Sequence, residues 1–241
     1  MSSKIAIRIL LSCVLYSQAL ALQAQWQGAT YIDLGSHNAS AGMLARLAVM
    51  AGYEKDKFRA SSGIQLDLQG PLDKTFTGFF VQGGYQANIK QQPVWLDGFF
   101  RFNPFSDLVH ETNWGAVAST QGVHMRYLLG MHFRTYKLSR QGADNQPKPA
   151  KVHENANLLY LLGYYLKPQD NNWNVGINVT NIDYYLLNQS TNPLFYLQGE
   201  YQPTERLRLF AEAWYKSAGA FNISVNYFGF LFRTGLIWKL P

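Results

Sequence analysis

Between Val123 and Thr135 the chain alternates without a break. Val123, Met125, Tyr127, Leu129, Met131 and Phe133 fall on one face, and His124, Arg126, Leu128, Gly130, His132 and Arg134 on the other. Period two belongs to a β-strand, whose successive side chains leave opposite faces of the sheet. A half-buried strand in water rarely sustains the pattern this long, whereas a tilted strand crossing a bilayer needs roughly 9 to 11 residues.

The same alternation recurs down the chain. Trp173, Val175, Ile177 and Val179 interleave with Asn174, Gly176, Asn178 and Thr180; Leu207 to Lys216 and Phe232 to Leu240 repeat the scheme. Weaker stretches lie near Tyr31 to Leu34, Met43 to Tyr53, Phe58 to Leu68, Phe76 to Ile89, Val94 to Phe102, Trp114 to Gln121, Leu158 to Leu166 and Leu194 to Tyr201. Gly, Pro, Asn and Asp clusters punctuate them. The expected fold is all-β: an antiparallel transmembrane β-barrel of about twelve strands, or ten if the weak Trp114 to Gln121 alternation is not one.

Connection lengths carry an independent signal, because outer-membrane barrels have short periplasmic turns and longer outer loops. With both termini periplasmic, Glu54 to Lys57, Lys90 to Pro93, Gln121-Gly122, Lys167 to Asn172 and Pro203 to Glu205 are the short turns. Asn103 to Thr112, Leu138 to Glu154 and Ser217 to Phe228 are then long outer loops, the second mobile and basic. Trp95, Trp173, Tyr184, Tyr185, Phe195, Tyr201, Tyr215 and Trp238 fall near strand ends, where interfacial aromatic girdles belong.

Composition agrees. With 47% apolar and 15% charged residues the chain is not disordered, and beyond the first two dozen residues no apolar run approaches the roughly 18 of a spanning helix. At the N-terminus, Lys4 and Arg8 precede a mainly apolar Ile9 to Ala21 and small residues at Ala19, Ala21 and Ala24. That order reads as a secretory signal peptide over residues 1–24, followed by one barrel domain over 25–241; cleavage after Ala21 is the alternative. Cys13 would leave with the signal, so disulfides play no part in the mature chain. Losing Lys4 and Arg8 lowers the formal charge from +6 to +4, with no Lys/Arg run and hence no nucleic-acid signature.

On these features the chain resembles bacterial outer-membrane β-barrel proteins as a superfamily, over nearly all of its mature length. The signal, the alternating strands, the loop asymmetry and the terminal strand Gly229 to Pro241 carry the resemblance. It implies insertion by the barrel-assembly machinery and residence in outer-membrane lipid and lipopolysaccharide. Such proteins usually end in an aromatic residue; here the last one, Trp238, comes three positions early. No narrower family matches, so no functional residues are carried over.

The alternation assigns the lumen. Arg46, Arg59, Arg101, Arg126, Arg134, Arg208 and Arg233 point inward, with Asp33, Asp67, Asp97, Glu200 and Glu212, and with His124 and His132. Seven arginines against five carboxylates make a mixed lining with a positive surplus. Two readings follow: a narrow pore for small solutes with an anion preference, or a barrel plugged by internal ion pairs that serves a structural or interaction role, such as a subunit of an envelope complex. Twelve strands lie between the roughly 8-strand size filled by side chains and the 16-strand size that leaves a channel, so size does not choose. A lipid-modifying enzyme is the third reading, with Ser119 and His124 flanking a turn, although no carboxylate orienter is near in sequence.

Phe105, Asp107, His110 and Glu111 lie in the Asn103 to Thr112 segment, which is expected to fold over the barrel mouth. Asp107, His110 and Glu111 lack a second ligand set with metal-site spacing, so no metal is expected there, and no cofactor elsewhere. The many isolated glycines accompany no strand-to-helix phosphate loop; in barrel strands glycine allows curvature or makes room for a bulky neighbour.

Overall fold

The computed structural model describes residues 25–36, 43–69, 75–106, 109–141, 147–166, 172–182, 193–216 and 230–240. Twelve antiparallel strands follow one another in chain order: β1 (Gln25–Ser36), β2 (Met43–Lys55), β3 (Phe58–Asp67), β4 (Phe76–Ile89), β5 (Gln92–Ser106), β6 (Val109–Gln121), β7 (Met125–Gln141), β8 (Pro147–Leu166), β9 (Trp173–Thr180), β10 (Leu194–Thr204), β11 (Leu207–Lys216) and β12 (Phe230–Lys239). Each pairs with its sequence neighbours, and β1 pairs with β12 to close the barrel. Closure leaves no sheet edge with unpaired backbone N–H and C=O groups, which is what permits strands to lie in hydrocarbon.

The faces are inverted relative to a protein folded in water. Leu129, Leu158 and Leu197 are more than half exposed on the outside, while Asp33, Glu111 and Arg134 are at most 1% exposed within. A soluble barrel would place these the other way round. Outside, Trp26 packs edge-on to Tyr53 at 5.0 Å and Phe58 against Tyr85 at 5.1 Å, at one end of the barrel. Phe79 and Phe102 pack at 5.8 Å towards the other end.

One end carries tight turns. Asp56, Lys90 and Gln91 have positive φ there, and two such residues in succession at Lys90-Gln91 make a turn whose twist matches a two-residue hairpin. At the opposite end two expected long loops are shorter than the sequence suggests. β5 continues to Ser106 and β6 begins at Val109, so most of Asn103 to Thr112 is ladder, with a bulge between Pro104 and Ser106. Likewise β7 and β8 stay paired to Gln141 and Pro147, so Leu138 to Glu154 is largely a long hairpin. Period-two hydrophobicity marks only the apolar band of the strands; the backbone ladder continues past it because its hydrogen bonds do not depend on apolar side chains. Residues 1–24, and the Ser217 to Phe228 loop, lie outside the described residues.

Candidate functional site

Among the described residues, ion-pair groups occupy the barrel interior. At the seam between β1 and β12, Asp33 and Arg233 sit directly opposite each other. The guanidinium donates to both carboxylate oxygens, at 2.7 and 3.1 Å, and also stands 3.7 Å from Glu212. Its plane lies over the Tyr31 ring at 4.3 Å, and the Trp214 indole N–H donates to Glu212 at 2.8 Å. Arg46 is opposite Asp33 on one side and Asp67 on the other, so charges alternate along that row.

The second group joins β6 to β7. Arg134 donates to Glu111 at 2.6 Å, both side chains about 1% exposed, and the Asn113 amide donates to the other Glu111 oxygen. In the third, Arg59 grips Asp97 through two hydrogen bonds while its guanidinium lies 4.2 Å from the Trp95 ring. Trp95 is therefore an inward residue rather than part of the girdle, since it shares its face with Asp97.

Across the barrel, Leu161, Leu194, Tyr196, Trp214 and Leu231 form an apolar cluster inside the wall made by β8 to β12, with Leu128 and Ile182 against it. Ile182 reaches it because the chain turns inward after β9. Asn181 donates to the Leu158 carbonyl at 2.6 Å and accepts from the Tyr160 amide at 2.9 Å, clamping this turn to β8.

Among the described residues, cavities lie between these groups. One of about 550 Å³ lies towards the short-turn end and includes Arg126, Glu200 and Arg208 in its wall. A central cavity of about 180 Å³ includes Arg59, Asp97, Arg101, Glu111, Arg126 and His132, and a third of about 210 Å³ includes Arg101 and Arg233. The first two share Arg126; the central and third share Arg101 and Asn103.

Several residues stand elsewhere than their sequence position suggests. His124 is exposed in the turn before β7, its Nδ1 at 3.0 Å from the Tyr165 carbonyl and its ring beside outward-facing Tyr164. The alternation that assigns it inward ends at Met125, where the strand begins. His110 faces outward, stacked on Phe102, while Glu111 faces inward, because strand pairing rather than loop structure sets their directions. Ile182, which the sequence did not single out, lies against the apolar cluster and in the wall of the central cavity. Asp107, Tyr184 and Tyr185 lie outside the described residues, as does the Phe105 side chain. Ser119 is in the wall of the central cavity, on the lumen side, apart from the turn that holds His124.

Sequence reasoning passed over a polar relay. Tyr165 Oη lies 2.9 Å from Asn178 Oδ1 and 3.1 Å from Gln198 Oε1, and Gln198 donates to Glu200 at 2.9 Å. Only the amide row of β9 signalled it.

No protein-family model matches the sequence, and no curated protein matches it. Among solved structures, the translocator domain of autotransporter NalP from Neisseria meningitidis is 13% identical, with a TM-score of 0.57 over 99% of this chain and 98% of that one. The fold is that of bacterial outer-membrane β-barrels. The NanC porin (14% identity, TM-score 0.49, 89% of this chain and 100% of that one) and the KdgM porin (9%, 0.49, 88% and 99%) are also similar.

Proposed function

We propose that the protein is a narrow outer-membrane pore for the passive transport of small polar solutes, with a preference for anions. The observation that supports this reading is a set of cavities in the barrel interior whose walls adjoin at Arg126 and at Arg101 and Asn103. Counting every inward charge, Arg46, Arg59, Arg101, Arg126, Arg134, Arg208 and Arg233 stand against Asp33, Asp67, Asp97, Glu111, Glu200 and Glu212, which leaves a small positive surplus in the lining. A ring of like charge in a low-dielectric wall selects the opposite ion.

Within this reading residues 1–24 are a cleaved export signal, both termini are periplasmic, and the outward apolar band sits in outer-membrane lipid and lipopolysaccharide after insertion by the barrel-assembly machinery. The test is single-channel recording of the purified chain in a planar bilayer under a salt gradient. Discrete steps with an anion-selective reversal potential support the pore, and a folded barrel without conductance rejects it.

One observation favours a second reading, a non-conducting barrel that displays its outer surface to an envelope partner. The Arg134–Glu111 and Arg233–Asp33 pairs are buried and the apolar cluster fills part of the lumen. A partner that co-purifies in stoichiometric amount, together with absent conductance, would establish it.

A further inference from the structure

On the outer wall of β4 to β7, towards the long-hairpin end, aromatic rings form a platform. Trp114 stacks on Phe133 at 4.4 Å, and Phe79 packs against Phe100 and Phe102, 5.8 Å from each. Register joins the two groups, since Phe100 is opposite Trp114 and Trp114 is opposite Phe133. Rings gathered near the strand ends are where an interfacial girdle belongs.

Polar rows follow on the same face. Thr112 and Thr135 stand opposite each other in the next outward row, and His110 and Lys137 in the one after it. His110 stacks on Phe102, 6.2 Å between rings and 10° from parallel, which holds the imidazole to the wall, while Lys137 is exposed. Phe133 and Lys137 are four residues apart, about 14 Å along the strand. Towards the rim the wall therefore presents apolar rings, then hydroxyls, then an ammonium beside an imidazole.

One carboxylate adjoins these rows. Glu154, exposed, is opposite Thr135 on β8, and among the described residues no ion pair joins it to Lys137. It stands two strands from His110, so an anion meets least repulsion on the His110 side of Lys137. Glu111 faces inward on Arg134 and takes no part.

The three rows narrow the occupant. A free anion would meet only exposed donors in water, where such pairs are worth little. A neutral lipid would cover the rings and leave Lys137 and His110 unused. Acyl chains carried on a phosphorylated sugar meet all three rows in order: chains on the rings, sugar at the threonines, phosphate at Lys137 and His110.

We propose that this face is a seat for one lipid A molecule of the surrounding lipopolysaccharide. The seat rests on the outer-membrane reading with the long-hairpin end facing the exterior, and it does not require conduction.

The test is native mass spectrometry of the full barrel, purified from membranes in detergent and titrated with lipid A, with lipid A stripped of its phosphates, and with phosphatidylglycerol. The expected result is a one-to-one lipid A adduct, with the other two lipids bound at least fivefold more weakly. Lys137→Gln is expected to weaken lipid A binding about fivefold, Glu154→Gln to strengthen it, and Lys57→Gln, at the opposite rim, to leave it unchanged. Heat-modifiable gel mobility verifies that each variant folds. Equal binding of the stripped lipid, equal or tighter binding of phosphatidylglycerol, or equal effects of Lys137→Gln and Lys57→Gln overturns the seat. Labelling of Lys137→Cys in intact cells by a membrane-impermeant maleimide separates the two readings. Labelling without lipid A binding rejects the seat and keeps the orientation; no labelling rejects the orientation and the seat with it.

Discussion

Arg59 and Asp97 stand two strands apart and still form a two-pronged ion pair, because the residue between them in the row is Gly84. A Cβ at Gly84 would meet the Asp97 carboxylate. The device is repeated. Tyr165 reaches Gln198 across Gly176, and Tyr31 reaches Phe210, 6.5 Å between rings, across Gly235. Glycine at the centre of an inward row lets flanking side chains lie along the wall rather than into the lumen.

Gly84→Val is therefore expected to destabilise the barrel by about 1–3 kcal/mol, by displacing Asp97 from Arg59. The midpoint of urea unfolding, followed by gel mobility without heating, reads this. An unchanged midpoint would show that the row tolerates a side chain and that the bridge does not need the glycine.

The Asp33–Arg233 pair closes the seam, so removing one partner leaves a buried charge poorly matched. Asp33→Asn is expected to cost about 3–5 kcal/mol, while the double change Asp33→Leu with Arg233→Met regains most of it, since apolar replacement of a buried pair is often neutral. Tryptophan fluorescence during denaturant unfolding gives both numbers. Equal losses in the single and double variants would contradict the account.

Two arginines on one strand are expected to behave differently. Arg126 is in the wall of two cavities, so Arg126→Gln should move the reversal potential away from anion selectivity, by on the order of a twofold fall in permeability ratio. Arg134 is buried on Glu111, so Arg134→Gln should lower stability and leave selectivity nearly unchanged. A selectivity shift confined to Arg134→Gln would reverse the assignment.

Ile182 intrudes on the central cavity because Asn181 is clamped to β8. Ile182→Ala is expected to raise single-channel conductance without changing ion preference, since it removes apolar bulk and no charge. Asn181→Ala should raise it too and cost about 1–3 kcal/mol from the buried backbone groups it leaves unpaired. Conductance equal to the parent in both variants would remove Ile182 as a constriction.

The alternation and connection lengths contained the strand count and most of the faces. Residues such as Arg134, Asp97 and Arg233 could be placed inward from sequence, because period two and an apolar exterior leave a strand residue two choices. Partners could not be read there. Arg59 meets Asp97 only through inter-strand register and the gap Gly84 leaves, and Arg134 meets Glu111 through register alone, which is a relation between distant segments. His124 and Glu111 show the boundary from both sides. Hydrophobic pattern ended too late at the first and too early at the second, because backbone pairing, which no side-chain pattern records, decides where a strand stops. The division of the lumen into a charged wall and an apolar cluster, and the turn that brings Ile182 inside, likewise arose only when closure of β1 on β12 set all twelve inward rows facing one another.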